Sequence, residues 1–180
     1  IGLGIMGFAD LLALLKVPYN SKEAQIIGGS LMQYIRAAAD LASLNLGGKR
    51  GPFPAWEKSD YGIHENYRNA CRVTVPPTGT ISMIAGCASG IEPIFALAWK
   101  KQNILEGKTL YYVNPHFQEV AKAEGFYSEE LMEALSNGES LQNLDNIPQW
   151  VKDVYITAPE ISSEEHVQMQ AAFQTWVDSG

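Results

Sequence analysis

Apolar residues along this chain recur with helical spacing in some stretches and run together in others. Residues 5–15 read as a helix that ends before Val17-Pro18. Ser21 can cap a second, long helix through about Leu44. In it Ile26, Ile27, Leu31, Tyr34, Ile35, Ala38 and Leu41 fall near helical spacing, and Gly28-Gly29 weaken the first half. Residues 47–67 read as a Gly- and Pro-containing loop with Phe53 and Trp56 tucked inward. A β-branched run over 71–75 predicts a strand, stopped by Pro76-Pro77. A tight turn, a short helix over 79–86 and a Cys-Ala-Ser-Gly turn follow. Ile94 to Trp99 is nearly all apolar, as expected of a strand covered on both faces. Asn114-Pro115 opens a helix to about Glu124, and Ser128 caps another to about Leu135. Residues 137–149 are loop, and Val154-Tyr155-Ile156 make a brief strand. Ser162, with Glu165 three positions on, forms a capping box for a last helix to about Val177. Strands separated by helices define an α/β class. Three or so strands cannot close a barrel, so they belong to a bigger sheet.

Bulk properties narrow the function. With 46% hydrophobic and 18% charged residues, the chain is globular rather than disordered. Asp10 and Lys16 interrupt the richest apolar stretch, which leaves no run of the roughly 20 residues that a membrane helix needs. No basic start or cleavage-like site marks a signal peptide. A first residue of Ile rather than Met suggests excision from a longer polypeptide. The net charge of −7 is uneven. Residues 1–118 carry 11 basic and 8 acidic side chains, and residues 119–180 carry 2 and 12. So acidic a C-terminal third argues against a nucleic-acid groove, which needs Lys and Arg against phosphates. Two cysteines and three scattered histidines make neither a disulfide scaffold nor a metal site. A cytoplasmic setting fits best.

The candidate chemistry lies in Pro77-Thr78-Gly79-Thr80-Ile81-Ser82. A strand, a tight turn and the first turn of a helix bring free backbone N–H groups and a positive helix end to one corner, which favours an anion. Gly79 lets the main chain come close to a ligand, and the Thr78, Thr80 and Ser82 hydroxyls add short donors. An ordinary hydroxyl-capped helix after a strand would carry the same residues. The wider wording separates the two readings. The run from Arg68 to Trp99, RNACRVTVPPTGTISMIAGCASGIEPIFALAW, closely resembles the substrate-phosphate segment of ribonucleotide reductases, specifically the class II, adenosylcobalamin-dependent enzymes. Ile1 to Asp10 resembles that family's glycine-rich helix start, and Glu165 to Gln174 resembles a helix near the end of its catalytic barrel. Residues 101–153 match only loosely.

The resemblance implies a single partial catalytic domain over 1–180, covering part of the later half of a ten-stranded α/β barrel. It implies thiyl-radical reduction of ribonucleotides at the 2′ carbon, with adenosylcobalamin as radical source and a dithiol reductant of the thioredoxin kind. The substrate would be a ribonucleoside di- or triphosphate, held at Thr78, Gly79, Thr80, Ile81 and Ser82, and the full-length enzyme would be a homodimer. The family's radical cysteine lies in an Asn-x-Cys-x-Glu motif on a finger loop. Asn69-Ala70-Cys71-Arg72-Val73 imitates the first three positions, but Val73 stands where glutamate belongs, and no true copy exists in the 180 residues. The isolated chain is therefore expected to be inactive and to carry no catalytic residue. Another reductase class on the same barrel, or a catalytically silent nucleotide- or anion-binding module, remains an alternative.

Other constellations have ordinary readings. Gly2-x-Gly4-x-x-Gly7 matches the dinucleotide fingerprint on paper. It lacks a visible preceding strand, and Glu23 sits in a helix start where a strand-end carboxylate is required, so a close-packed turn is expected. Cys71 and Cys87 read as small buried apolar residues. Tyr111-Tyr112 could mimic a radical relay, but Asn114-Pro115-His116-Phe117 follows directly, in the pattern of a strand entering a helix, and packing is expected. His64, His116 and His166 share no ligand spacing. Glu92, in an apolar turn, needs a partner, and an ion pair with Arg68 or Arg72 is expected.

Overall fold

A computed structural model describes residues 1–61, 65–104 and 108–178. Seven α-helices carry a little under half of the described residues. Helix α1 (Phe8–Leu15) is followed by α2 (Lys22–Arg50), a 3-10 turn at Trp56–Lys58 and α3 (Gly79–Ala85). A hairpin of β1 (Ala98–Ile104) and β2 (Lys108–Val113) leads to α4 (Pro115–Ala123), α5 (Glu129–Ser136), α6 (Gln149–Val154) and α7 (Ser163–Gln174).

The helix starts follow local chemistry. Ser21, Asn114, Ser128 and Ser162 each accept a hydrogen bond from the backbone amide three residues on, and Glu165 completes the capping box of α7. Helix α2 runs past Gly47-Gly48 to Arg50, and the chain leaves it at Gly51 with φ +78°. Gly47 is needed inside that helix because a Cβ there would sit 1.6 Å from the Asn66 carbonyl oxygen. Gly28 serves the same purpose against α7, since its Cβ would lie 2.5 Å from the Phe173 ring. The glycines lower helix propensity by about 1 kcal/mol each, and the close approach they permit buries Phe173 against Phe8, whose ring centroid is 4.9 Å away. Phe117 continues the core towards Tyr155, 5.3 Å away.

The strands depart most from expectation. The predicted strand over 71–75 forms one parallel bridge, Leu3 with Val73, flanked by Leu3 N–H to Arg72 O at 2.8 Å and Thr74 N–H to Leu3 O at 3.0 Å. Ile94 to Leu97 are not a strand. Ile94 and Leu97 are buried, but their carbonyls accept from the Ala158 and Asn114 amides in neighbouring loops, and regular pairing begins only at Ala98. Val154-Tyr155-Ile156 are not a strand either. Val154 ends α6 and Tyr155 follows in a near-helical conformation, because Val151, Val154 and Tyr155 form one buried helical face. Among the described residues the sheet is the antiparallel β1–β2 pair, in which Trp99 faces Tyr112 and Lys100 faces Tyr111.

Candidate phosphate-binding turn

The segment before α3 is fixed by charge. Arg72 is 2% exposed, and its Nε lies 2.5 Å from Asp40 Oδ1 on α2. Its Nη2 makes an ion contact of 3.1 Å with the buried Asp178 carboxylate, without hydrogen-bond geometry. Asp178 also accepts from the backbone amides of Arg72 (2.8 Å) and Val73 (3.2 Å), tying the chain after α7 to this segment. The Tyr67 ring covers the guanidinium at 4.1 Å. Burial opposes the charge, but the Tyr61 and Asp40 hydrogen bonds and the two carboxylates outweigh it, and Arg72 titrates above its ordinary value.

The glycine-rich start of the chain backs the same segment. A Cβ on Gly4 would fall 2.2 Å from Pro76 Cδ, and one on Gly2 would fall 2.8 Å from Thr74 Cγ2. Gly7 takes φ +79° at the start of α1, with Cys87 beside it. Gly2 and Gly4 flank the Leu3 bridge and press along residues 74–76, and Gly7 lies against Cys87, so the close packing is present but residues 2–4 pair with the neighbouring segment rather than turn.

Residues 78–82 sit at the start of α3. Thr78 is its N-cap, with a left-handed backbone (φ 49°, ψ 26°) unusual for a β-branched residue. Its hydroxyl does not cap α3. Instead it accepts from the Gly90 amide at 2.7 Å. Among the described residues the amides of Gly79, Thr80 and Ile81 have no protein acceptor, as first-turn amides without a side-chain cap, whereas the Ser82 amide donates to Thr78 O at 2.9 Å. Gly79 and Thr80 are exposed, and a Cβ on Gly79 would meet nothing within 4 Å. The structure brings Thr78, Gly79, Thr80 and Ile81 to one corner and turns Ser82 away from it. Ser82 is 1% exposed, and its hydroxyl is engaged with Gly79 O (3.1 Å) and Ser89 Oγ (2.9 Å). Ser82 is the inward face of a helix whose Ile81, Met83 and Ile84 point out, Ile84 at 81% exposure.

Asp10, Ser89 and Gly90 also belong to this arrangement; in the sequence Ser89 and Gly90 read only as part of a turn, and Asp10 only as an acid interrupting an apolar stretch.

The other candidates separate clearly. Cys71 and Cys87 are half-buried free thiols. Burial and then Asp10 push the Cys87 thiol up, opposite to an activated thiolate. Tyr112 stacks on Trp99 at 5.7 Å, nearly coplanar, which fits packing. His166 Nε2 lies 3.2 Å from Ala158 O, His116 is half-buried on α4, and His64 lies outside the described residues. The expected ion pair of Glu92 is corrected. Arg72 is committed to Asp40 and Asp178, and Arg68 donates to the Gly51 and Pro52 carbonyls. Glu92 is exposed instead, on a cleft of about 320 Å³ shared with Tyr19, Pro76, Pro77 and His166. Burial, then Glu92, raise the Tyr19 hydroxyl above its ordinary value. No helix among the described residues is long and apolar enough to cross a membrane.

A model of the ribonucleotide reductase barrel domain matches residues 1–66 and 62–180, and the chain belongs to that family. Its fold is a partial α/β barrel of the ribonucleotide reductase type. Among curated relatives, the vitamin B12-dependent ribonucleoside-diphosphate reductase of Thermoplasma acidophilum is 49% identical over 183 residues, covering 100% of this chain and 23% of the relative. The protein of the same name from Mycobacterium tuberculosis is 42% identical over 179 residues, covering 99% of this chain and 26% of the relative. A solved structure, the Actinobacillus ureae class Id ribonucleotide reductase alpha subunit, superposes with a TM-score of 0.81 at 25% identity, covering 99% of this chain and 31% of that one. The chain spans about a quarter of the length of these curated relatives.

Proposed function

We propose that this chain is part of the catalytic barrel of an adenosylcobalamin-dependent ribonucleoside-diphosphate reductase, and that its own task is to grip the substrate's phosphates. The observation that carries the grip is the set of three acceptorless amides at Gly79, Thr80 and Ile81, open to solvent beside an uncrowded glycine. Phosphate oxygens would accept from these N–H groups, the exposed Thr80 hydroxyl would add a donor, and the short helix contributes its positive end. Holding the phosphates fixes the ribose for a radical step, where orientation is worth several kcal/mol. Thr78 and Ser82 serve by shaping the turn.

The cofactor follows from the names of the relatives and not from a seat on this chain. Two clefts among the described residues measure about 320 and 430 Å³, within the range of about 300–1,000 Å³ that drug-sized ligands fill. A diphosphate substrate matches those names, and a dithiol reductant of the thioredoxin kind, a homodimer and a cytoplasmic setting complete the reading. Residues 1–180 alone should give no turnover with adenosylcobalamin and a dithiol, for want of Asn-x-Cys-x-Glu.

The test compares a ribonucleoside diphosphate with its ribonucleoside on the full-length polypeptide. Gly79→Val should weaken the diphosphate by roughly ten- to a hundredfold and leave the ribonucleoside unchanged. An unaltered diphosphate affinity removes the phosphate role from this turn. Bare phosphate binding as well as the diphosphate would favour a simple anion-binding module.

A further inference from the structure

Helix α2 has two unlike long faces. One packs on the protein: Gly28 lies against the Phe173 ring of α7, Gly29 lies close to the Ala172 carbonyl, and Arg36 donates to Trp176 O at 3.4 Å. The other face carries Ile26, Ser30, Tyr34, Ala37, Leu41 and Gly48, all exposed, with Ile26 at 60%, Tyr34 at 75% and Leu41 at 62%. At 3.6 residues per turn these six fall within about 80° of one another, along a stripe about 33 Å long. A solvent-facing helix stripe normally carries charge. Between Glu23 and Lys49 the only charged residues are Arg36 and Asp40. Both are engaged on the protein's side: they pair at 2.8 Å, and Asp40 also holds Arg72. So long an uncharged stripe with three large exposed apolar side chains is the mark of an interaction surface.

We propose that two copies of the protein meet on this stripe as an antiparallel α2–α2 pair, which gives a surface to the homodimer of the reading above and rests on it. The stripe complements itself in size. Turned end over end about Ala37, Ile26 comes opposite Gly48 and Tyr34 opposite Leu41, while Ala37 meets its own copy and lets the helices approach closely at the crossing. It complements itself in charge as well. The exposed Glu23 of the first turn comes opposite Lys49 and Arg50, which are exposed in the last turn of the other copy, and the two helix dipoles oppose. Lys22 is turned along its own helix to Gln25. A parallel pairing would set Lys49 and Arg50 against their own copies, so the charges select the antiparallel one. A single helix pair falls short of the about 800 Å² per partner of a standard interface, and the dimer is expected to be weak and dependent on concentration.

The experiment follows sedimentation of the full-length polypeptide over a concentration series, for the unsubstituted protein, Ala37→Glu, Glu23→Lys, Lys49→Glu and the double exchange. The midpoint of denaturant unfolding is read alongside. The unsubstituted protein should pass from monomer to dimer as concentration rises. Ala37→Glu sets two carboxylates against each other at the crossing at little cost in helix propensity, and should raise the Kd of the dimer roughly a hundredfold. Either charge reversal alone should raise it about tenfold. The double exchange should recover most of that loss, although each reversal opposes the dipole of its own helix, so a helix-end effect within one copy predicts no recovery. A dimer indifferent to Ala37→Glu, or a double exchange as poor as the single reversals, overturns this surface and leaves the homodimer reading standing. A protein that stays monomeric overturns both. If Ala37→Glu lowers the unfolding midpoint of a protein that does not dimerise, the stripe is covered by the rest of its own polypeptide and the inference falls. If Ala37→Glu does not fold, the charge exchange decides alone.

Discussion

The starts of α3 and α7 both carry a hydroxyl residue at the N-cap, but only α7 has an acid in its first turn, and the two behave in opposite ways. At α7, the Ser162 hydroxyl accepts from the Glu165 amide and the Glu165 carboxylate accepts from the Ser162 amide, so the helix closes on itself. At α3, the Thr78 hydroxyl is drawn to Gly90 across the turn, and the first three helical amides stay without an acceptor among the described residues. A closed cap is a local device that stabilises its own helix. The segments flanking the open one are tied by contacts with distant parts of the chain: Asp10 with Ala88, Asp40 and Asp178 with Arg72, and Gly4 against Pro76.

The largest expected effect cuts a distant anchor of the open start. Asp178→Ala leaves the buried Arg72 with a lost partner and removes the acceptor of two backbone amides. Breaking a buried pair in this way costs about 3–5 kcal/mol, to be read as a lower midpoint of denaturant unfolding in the full-length polypeptide. An unchanged midpoint would mean that the segment before α3 does not need that anchor.

Next comes the backing glycine. Gly4→Ala forces Pro76 aside and should lose about 1–3 kcal/mol, with weaker diphosphate binding as the turn shifts. Gly48→Ala is its control, because a Cβ there meets nothing within 4 Å and helix propensity favours alanine by up to about 1 kcal/mol. Equal losses at both positions would remove the argument from close approach.

Ser162→Ala sharpens the contrast between the two starts. It should cost about 1 kcal/mol of stability and leave nucleotide affinity untouched, the reverse of Gly79→Val. Nucleotide binding that responds to Ser162→Ala would break the distinction.

The smallest effect is one of pH. The Ser162 hydroxyl and amide, with Asn20, hold the Glu165 carboxyl below its ordinary value. A depressed folded-state value means that its contribution is complete above the ordinary carboxylate range and fades as pH falls through that range, from about pH 5 towards pH 3. Glu165→Gln should flatten that part of the stability profile, and an identical profile in the variant would show that the box is not coupled to protonation.

Most helices were legible because their signals are local. Ser21, Asn114, Ser128 and Ser162 cap amides three residues away, and a short sequence window contains both partners. The phosphate turn was legible as a place, since proline, glycine and hydroxyls define it within six residues. The role of Ser82 was not, because the hydroxyl that turns it inward belongs to Ser89 beyond the end of the helix. The predicted strand at Val154-Tyr155-Ile156 shows the same limit from the other side. β-Branched and aromatic residues suit a pleated surface, but burial against Phe117 holds Tyr155 just past a helix end.

The sequence by itself determined the family, the order of most helices and the place of the glycine- and hydroxyl-bearing turn before α3, because each rests on neighbours along the chain or on a long run of shared wording. Only the tertiary structure decided which hydroxyls at that turn are turned inward, which partners hold Arg72 and which amide the Asp10 carboxylate accepts from. Those answers depend on groups 78 and 106 residues apart being brought within hydrogen-bonding distance, and no local preference encodes such a meeting.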